Sequence, residues 1–227
     1  MNVSSVPMVS NNIKIILLVF SYVAIQLLNG FYLSLLSQSA VLYWLYDIAA
    51  NAILPSMIYW LLVKIDVLPK AYGFKKPHLL YDTTQMVGQA LALFMVAGLV
   101  YFISYQILWR FYPPSVTFLY SSVMSNDPVL RWVTNLYFSA TAGLVESVVY
   151  LGIAKLIVEK RFTGRAGNII FVMASTLIFT SVHWEQCLMP MVTAGCMQLI
   201  FSLAYLRIKY LPPFILAHAA IDFVIFY

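Results

Sequence analysis

Four ionisable residues in the C-terminal half of the chain lie inside apolar segments. They are Glu146, His183, His218 and Asp222, and they include two of the three histidines in the sequence. A charged side chain at membrane depth costs a few kcal/mol and is functional by default. His218 and Asp222 are four residues apart, so they share one face of a helix. The set therefore predicts a polar site within an apolar bundle.

The residue types in this set are suited to hydrolysis. A carboxylate beside a histidine can hold a water molecule and deprotonate it. A second histidine can donate a hydrogen bond to the oxygen that becomes negative when this water attacks a carbonyl group. Exclusion of bulk water strengthens both interactions. Two alternatives stay open from the residues alone: polar groups that only hold helices together, and a zinc site with Glu146, His183 and His218 as ligands.

The composition indicates an all-α membrane protein. Of the 227 residues, 63% are hydrophobic and 9% are charged, whereas soluble domains carry about 25% charged residues. A membrane-spanning helix needs about 20 apolar residues. We therefore predict a single membrane domain, 1–227, built as a bundle of about seven transmembrane helices. The apolar runs are 14–36, 40–63, 86–109, 130–158, 167–184, 188–206 and 211–227. Spans 1–3 and their loops fall in 1–129, and spans 4–7 in 130–227 carry the polar set.

Some residues in and between these runs carry structural expectations. Pro55 should kink the second helix, because proline lacks a backbone donor. The lysine-rich connection 64–85 should be an interfacial or solvent loop. Asp47 is interpreted as a hydrated residue near the outer interface, and Glu185 should mark the outer end of the fifth helix.

The distribution of basic residues predicts the orientation of the chain. With seven spans, eleven Lys and Arg side chains lie on one side, and only Arg110 and Arg131 lie on the other. Cytoplasmic loops carry an excess of Lys and Arg, so the N-terminus should be cytoplasmic and the C-terminus should lie outside. The net charge of +5 is thus explained by orientation, and no nucleic-acid partner is expected.

The same basic flank gives the expected depth of the polar residues. Glu146 lies nine residues before Lys155, and His218 lies nine residues after Lys209. At about 1.5 Å per residue, both should be about 13 Å from the flank and could meet. His183 lies eighteen residues beyond Arg165. It should therefore sit at a different depth, unless the fifth helix begins below the headgroups or tilts.

Three short motifs make this half of the chain resemble the CAAX protease and bacteriocin-processing family of intramembrane proteases, which includes the type II CAAX prenyl endopeptidases. That family carries Glu-Glu-x-x-x-Arg, then Phe-x-x-x-His, then His-x-x-x-Asn or Asp. Here the first motif begins at Glu146, the second runs from Phe179 to His183, and the third runs from His218 to Asp222. The resemblance covers about 140–227. It implies an intramembrane endopeptidase, without a cofactor, that acts on a peptide or lipidated protein in the lipid bilayer.

The resemblance also implies a role for each site residue. Glu146 and His183 would activate water, while His218 and Asp222 would lie on the oxyanion side. An ionised aspartate only accepts hydrogen bonds, so Asp222 would either be protonated or orient His218 as a donor. Ser147 and Leu151 replace the second glutamate and the arginine of the first motif. These departures keep open a catalytically silent family member that acts as a membrane scaffold or immunity factor. The motifs carry no information on oligomeric state.

Overall fold

The predicted helical bundle is confirmed. The computed structural model describes residues 8–36, 38–65, 67, 69–74, 79–112 and 123–226, and in these ranges all regular structure is helical. Seven continuous helices follow one another: α1 Met8–Leu36, α2 Ala40–Lys64, α3 Leu79–Phe111, α4 Pro128–Glu159, α5 Gly164–Val182, α6 Leu188–Ile208 and α7 Pro212–Phe226. Short 3₁₀ turns occur at Pro69–Tyr72 and Trp184–Gln186.

The helices have the length and surface of membrane spans. Among the described residues, five helices, α2 to α6, are long and apolar enough to cross a membrane, and α1 and α7 contribute the shorter apolar segments Ile13–Leu28 and Pro212–Phe226. Large apolar side chains such as Leu91 and Leu99 point outward and are 60% and 57% exposed. A surface of this kind suits lipid, because water would not solvate it.

The connection between α2 and α3 differs from the expected loop over 64–85. Helix α3 begins at Leu79, because a helix can extend into the polar interface beyond its apolar run. Part of the connection is also packed rather than solvated. Tyr72 is 1% exposed, its carbonyl accepts a hydrogen bond from the Tyr205 hydroxyl, and the Gly73 carbonyl accepts one from the Leu211 N–H. Of the four lysines in the expected loop over 64–85, Lys64 is the last residue of α2, and Lys75 and Lys76 lie outside the described residues.

Two of the helices are interrupted by a π turn. In α2 the wider turn covers Ala49–Ile53, and the N–H of Leu54 bonds to the carbonyl of Ala49. It lies immediately before Pro55, whose ring would clash with the carbonyl four residues earlier in a regular helix. In α4 the π turn covers Ser147–Ile153. Such turns are rare and are frequent at functional sites.

Small residues bring the C-terminal helices close together. A Cβ atom on Gly143 of α4 would lie 2.8 Å from both the Ala219 nitrogen and the Ile215 carbonyl oxygen of α7. Gly195 of α6 packs in the same manner on the Thr180 hydroxyl of α5. Close approach at small residues is a common way for membrane helices to associate, because it increases van der Waals contact. The core of the bundle therefore lies among α4, α5, α6 and α7.

Candidate active site

Helices α4 and α7 bring Glu146 and His218 together. Near the end of each helix, Gly152 packs on Leu211, and a Cβ at Gly152 would lie 2.9 Å from a Leu211 methyl group. Glu146 lies six residues before Gly152, and His218 lies seven residues after Leu211, so both are about 10 Å from this contact along their helices. The Glu146 Oε2 atom is 3.4 Å from His218 Nε2. The expected meeting of these two residues is confirmed.

The imidazole of His218 uses one nitrogen for both neighbouring carboxyl groups. Asp222 Oδ2 lies 3.5 Å from the same Nε2 atom that faces Glu146. His218 Nδ1 is buried and has no hydrogen-bond partner in the described part of the chain. The rings of Phe201 and Phe179 pack against the imidazole, with centroid distances of 5.7 and 5.9 Å. Asp222 therefore lies at the same imidazole nitrogen as Glu146, and not on the far side of the ring.

His183 lies at the C-terminal end of α5 with a defined tautomer. Its Nδ1 is 2.8 Å from the Phe179 carbonyl oxygen. A carbonyl oxygen only accepts hydrogen bonds, so Nδ1 carries the hydrogen and, in the neutral ring, Nε2 is left as an acceptor. The Phe179 ring packs on His183 with a centroid distance of 4.5 Å. The second motif thus orients an imidazole nitrogen that can accept a proton.

The register of α5 explains how His183 reaches the other residues. The Ser175 hydroxyl donates to the Tyr150 carbonyl at 2.6 Å, which sets the two helices level at this point. From there Glu146 is four residues away and His183 is eight, or about 6 and 12 Å along their axes. Nearer the start of α5, Lys155 Nζ donates to Asn168 Oδ1 at 2.7 Å. His183 therefore lies about 6 Å beyond Glu146 along the helix axes, a smaller offset than the basic flank predicts, and both residues line the same cavity.

One cavity joins the four residues predicted from the sequence. It has a volume of about 120 Å³, and Glu146, His183, His218 and Asp222 all line it. A water molecule occupies about 30 Å³ in the liquid, so the cavity has room for a few waters or a short length of peptide backbone. The remaining walls are largely aromatic and aliphatic side chains. The site is a polar pocket inside an apolar bundle, as expected.

The described residues contain no group of three or more His, Cys, Asp or Glu side chains arranged to hold a metal ion. The ligand set considered from the sequence, Glu146, His183 and His218, is therefore not gathered as a zinc site. In this arrangement the residues do not fit the metal.

A polar network from α1 and α2 forms part of the same cavity. Asn51 Nδ2 donates to Asp47 Oδ1 at 2.8 Å, and Gln26 Nε2 donates to Asn51 Oδ1 at 3.0 Å. All three side chains line the cavity. Asp47 is 5% exposed, so its interpretation as a hydrated interfacial residue is wrong. The spacing of Asp47 and Asn51, four residues apart in an apolar run, was the signal in the sequence that indicated a shared buried face.

Glu185 lies just beyond α5, which ends at Val182 as expected. It belongs to the turn Trp184–Gln186 and is 6% exposed. Burial raises the pKa of this carboxyl group to about 7. Glu185 therefore marks the end of this helix as expected, and it is a buried acid.

The two departures from the first motif lie in packed positions. Ser147 is 2% exposed and its hydroxyl has no hydrogen-bond partner among the described residues, while Leu151 is fully buried. A buried charge is destabilising unless it is paired. Since both charged residues of the family pattern are replaced together, neither leaves an unpaired charge in the core.

The fold and the cavity define an integral membrane protein with a buried carboxyl–imidazole site. Residues 128–224 match the family model described as Rce1-like, type II CAAX prenyl endopeptidase, so this region of the chain is similar to that family. The resemblance expected from the three motifs is confirmed over that range. At the level of the family, the match supports a membrane endopeptidase. No curated protein and no solved structure gives a significant match to the chain.

Proposed function

We propose that the protein is an intramembrane endopeptidase that hydrolyses a peptide bond with a water molecule activated by Glu146 and His183. One observation carries the proposal: Glu146 lies 3.4 Å from His218 Nε2 at a cavity that His183 and Asp222 also line. A carboxylate, an imidazole acceptor and an imidazole donor around one cavity are the groups that this reaction requires.

Each of the four residues has its own role in the proposed reaction. Glu146 removes a proton from water, with His183 Nε2 accepting the second hydrogen bond of that water, and the water oxygen forms a bond to the scissile carbonyl carbon. The Nε2–H group of His218, positioned by Asp222, donates to the carbonyl oxygen as it becomes negative. Glu146 then passes its proton to the amide nitrogen, the C–N bond breaks, and a carboxylic acid and an amine form. The acid passes its proton to the amine, so a carboxylate and an ammonium group leave. Apolar walls strengthen these interactions by excluding bulk water.

The description of the matching family gives the first substrate to test, a prenylated peptide. The bilayer would hold its lipid chain beside the helices. The eleven-to-two distribution of basic residues supports a cytoplasmic N-terminus. Labelling of single cysteines placed at either end of the chain, in sealed vesicles of known orientation, tests this topology.

The test uses the purified chain in lipid nanodiscs with a fluorescence-quenched peptide that carries an S-farnesyl cysteine followed by three residues. The wild-type chain should cleave the peptide. Glu146→Gln should lower kcat by about 10² to 10⁴-fold, the usual contribution of a general base. The matched control is Glu159→Gln on the same helix, because Glu159 is 55% exposed and pairs with Lys155 away from the cavity.

Two results would contradict the proposal. Cleavage that is unchanged in Glu146→Gln would remove the assigned base, and the absence of cleavage in the wild-type chain would remove this substrate class. Chelation followed by metal analysis should leave the activity intact. Activity that is lost on chelation and restored by Zn²⁺ would favour the metal-dependent alternative.

A non-catalytic scaffold or immunity factor is the second candidate, and the replacement of both charged residues of the first motif by Ser147 and Leu151 favours it. Complementation of a deletion strain separates the two functions. If the chain is an enzyme, the Glu146→Gln/His183→Ala double variant should fail to complement at a normal expression level. Full complementation by that variant would support the scaffold.

A further inference from the structure

We propose that the catalytic cavity receives its peptide from the face of the membrane opposite the basic flank, so that the substrate is a peptide segment displayed outside the cytoplasm. This inference rests on the proposed function and names the side of the membrane on which the substrate lies. Three features of the described residues support it: the position of the cavity mouth, the packing at the opposite end of the bundle, and the charges at the two ends.

The cavity lies at the end of the bundle where α5 is joined to α6, which we call the turn end. Gln186 belongs to the turn between these helices, Pro190 lies in the first turn of α6, and both line the cavity. Ile225 and Phe226, at the end of α7, line it as well. All four residues are at least partly exposed, and Ile225 is 41% exposed. The mouth of the cavity is therefore at the turn end.

Packing closes the bundle between the catalytic residues and the basic flank. Phe201 and Phe214 are fully buried on that side of His218, and their rings pack edge to face with a centroid distance of 5.7 Å. The connection between α2 and α3 packs across the end of α4, where a Cβ on Gly152 would collide with the Tyr72 carbonyl oxygen. These contacts separate the catalytic residues from the basic flank.

A second cavity, of about 520 Å³, approaches the basic flank between α1, α2 and α4. It shares Tyr22 and Asn51 with the catalytic cavity and extends to Leu62 and Phe74. None of its described lining residues is charged, and most of them are aliphatic or aromatic. A peptide backbone in such a space would lose its hydrogen bonds to water without replacing them. This cavity therefore suits an apolar chain, and not the peptide itself.

The charges at the two ends of the bundle give its orientation. Lys155, Arg165 and Arg207 lie near the ends of α4, α5 and α6 that form the basic flank. Of the basic residues in the sequence, only Arg110 and Arg131 are assigned to the turn end. Cytoplasmic ends carry the excess of Lys and Arg, so the turn end, together with the cavity mouth, faces away from the cytoplasm. The substrate would then be a peptide that has crossed the membrane or is anchored in its outer leaflet.

The test measures cleavage from each side of a sealed membrane. Right-side-out and inside-out vesicles are prepared from the same expressing cells, and the peptide that the chain cleaves in nanodiscs is added with a charged hydrophilic tail. The initial rate should be at least about tenfold higher in right-side-out vesicles, because polar backbone groups and charges keep the peptide on the side of addition. Detergent should make the two rates equal. Faster cleavage in sealed inside-out vesicles, or equal rates before detergent, would overturn the inference.

A cysteine at the mouth shows whether the peptide enters there. In a chain with Cys187→Ser and Cys196→Ser, Gln186→Cys should react with a charged, impermeant thiol reagent only in right-side-out vesicles. This reaction should abolish cleavage, since Gln186 lines the cavity. The matched control is Thr163→Cys at the other end of α5, because Thr163 is exposed and its side chain makes no capping hydrogen bond. It should react only in inside-out vesicles, and cleavage should continue.

The outcomes separate this inference from the proposed function. Reaction of Gln186→Cys only in inside-out vesicles, or unchanged cleavage after it has reacted, would overturn the assigned mouth while the Glu146 result stands. Should Gln186→Cys fail to fold, the sidedness of wild-type cleavage decides. If the wild type cleaves no peptide in nanodiscs, the substrate assignment fails together with the proposed function, and the side on which Gln186→Cys reacts still tests the mouth.

Discussion

The two halves of the molecule contribute differently to the same cavity. In the C-terminal half, 56% of the most apolar stretch of α4 and 50% of that of α6 is buried, whereas the values for α2 and α3 are 22% and 17%. The C-terminal helices carry the three motifs and the family match, and they bring Glu146, His183, His218 and Asp222 together. The N-terminal helices mostly face outward, and the described part of them contributes one polar network to the cavity, centred on Asp47.

This difference teaches that the reacting groups and the substrate-facing wall can lie on separate parts of a fold. Helices α4 to α7 hold the groups that would touch reacting atoms, so changes there should lower kcat. Helix α2 lines the cavity and carries none of the groups assigned to the reaction, so changes there should raise KM. The comparison can be tested by substitutions in each half.

Among the substitutions that test this comparison, His218→Ala in the C-terminal half should have the largest effect. His218→Ala should lower kcat by about 10² to 10³-fold, because it removes the only imidazole N–H assigned to the developing negative charge. KM should change little. The measurement is steady-state cleavage of the farnesylated peptide in nanodiscs. A variant with a raised KM and an unchanged kcat would move His218 from the chemistry to substrate binding and weaken the contrast between the halves.

A smaller effect, on stability, should show that the C-terminal half is packed more closely than the N-terminal half. Gly143→Val should reduce stability by about 1 to 3 kcal/mol, the usual range for overpacking, because the added atoms would meet the backbone of α7. Activity should fall as well, since α7 carries His218. Gly88→Val on α3 is the control, because a Cβ at Gly88 has no neighbour within 4 Å. Thermal unfolding in detergent measures both, and equal melting temperatures would contradict the close approach of α4 and α7.

The smallest effect should come from Asn51, whose side-chain amide donates a hydrogen bond to Asp47. Asn51→Ala removes the amide that holds Asp47 Oδ1, and one net hydrogen bond is worth about 0.5 to 1.5 kcal/mol. KM should therefore rise by less than about tenfold, with kcat unchanged. Ser56→Ala, on the exposed side of the same helix, is the control. A loss of kcat in Asn51→Ala would place α2 in the chemistry and remove the distinction between the halves.

Much of the fold could be predicted because apolar runs report membrane helices directly. The seven runs correspond to the seven helices, and the main error concerns α3, which begins at Leu79 instead of 86. The first residues of that helix include Asp82, Thr83 and Thr84. Hydropathy detects the apolar part of a helix, and it does not detect a polar extension into the interface.

The site residues that could be predicted are those that belong to a short motif in the sequence. The pairs Phe179–His183 and His218–Asp222 each lie within one helix, so their spacing was visible. The place of Asp47 at the cavity was harder to predict. It depends on Gln26 from another helix and on the approach of α2 to α4. Contacts between helices are decided by packing, and a single sequence does not reveal them.

The π turn at Ser147–Ile153 has a consequence for how this site could change in evolution. A π turn is equivalent to a one-residue insertion in a regular helix, and each residue of an α-helix corresponds to a rotation of about 100°. Loss of one residue between positions 147 and 153 would restore the regular pitch of α4. If the end of α4 kept its place, Glu146 would then rotate about the helix axis and point away from α7. A single deletion could thus disable the pocket while every one of its side chains is retained, and a single insertion could restore it.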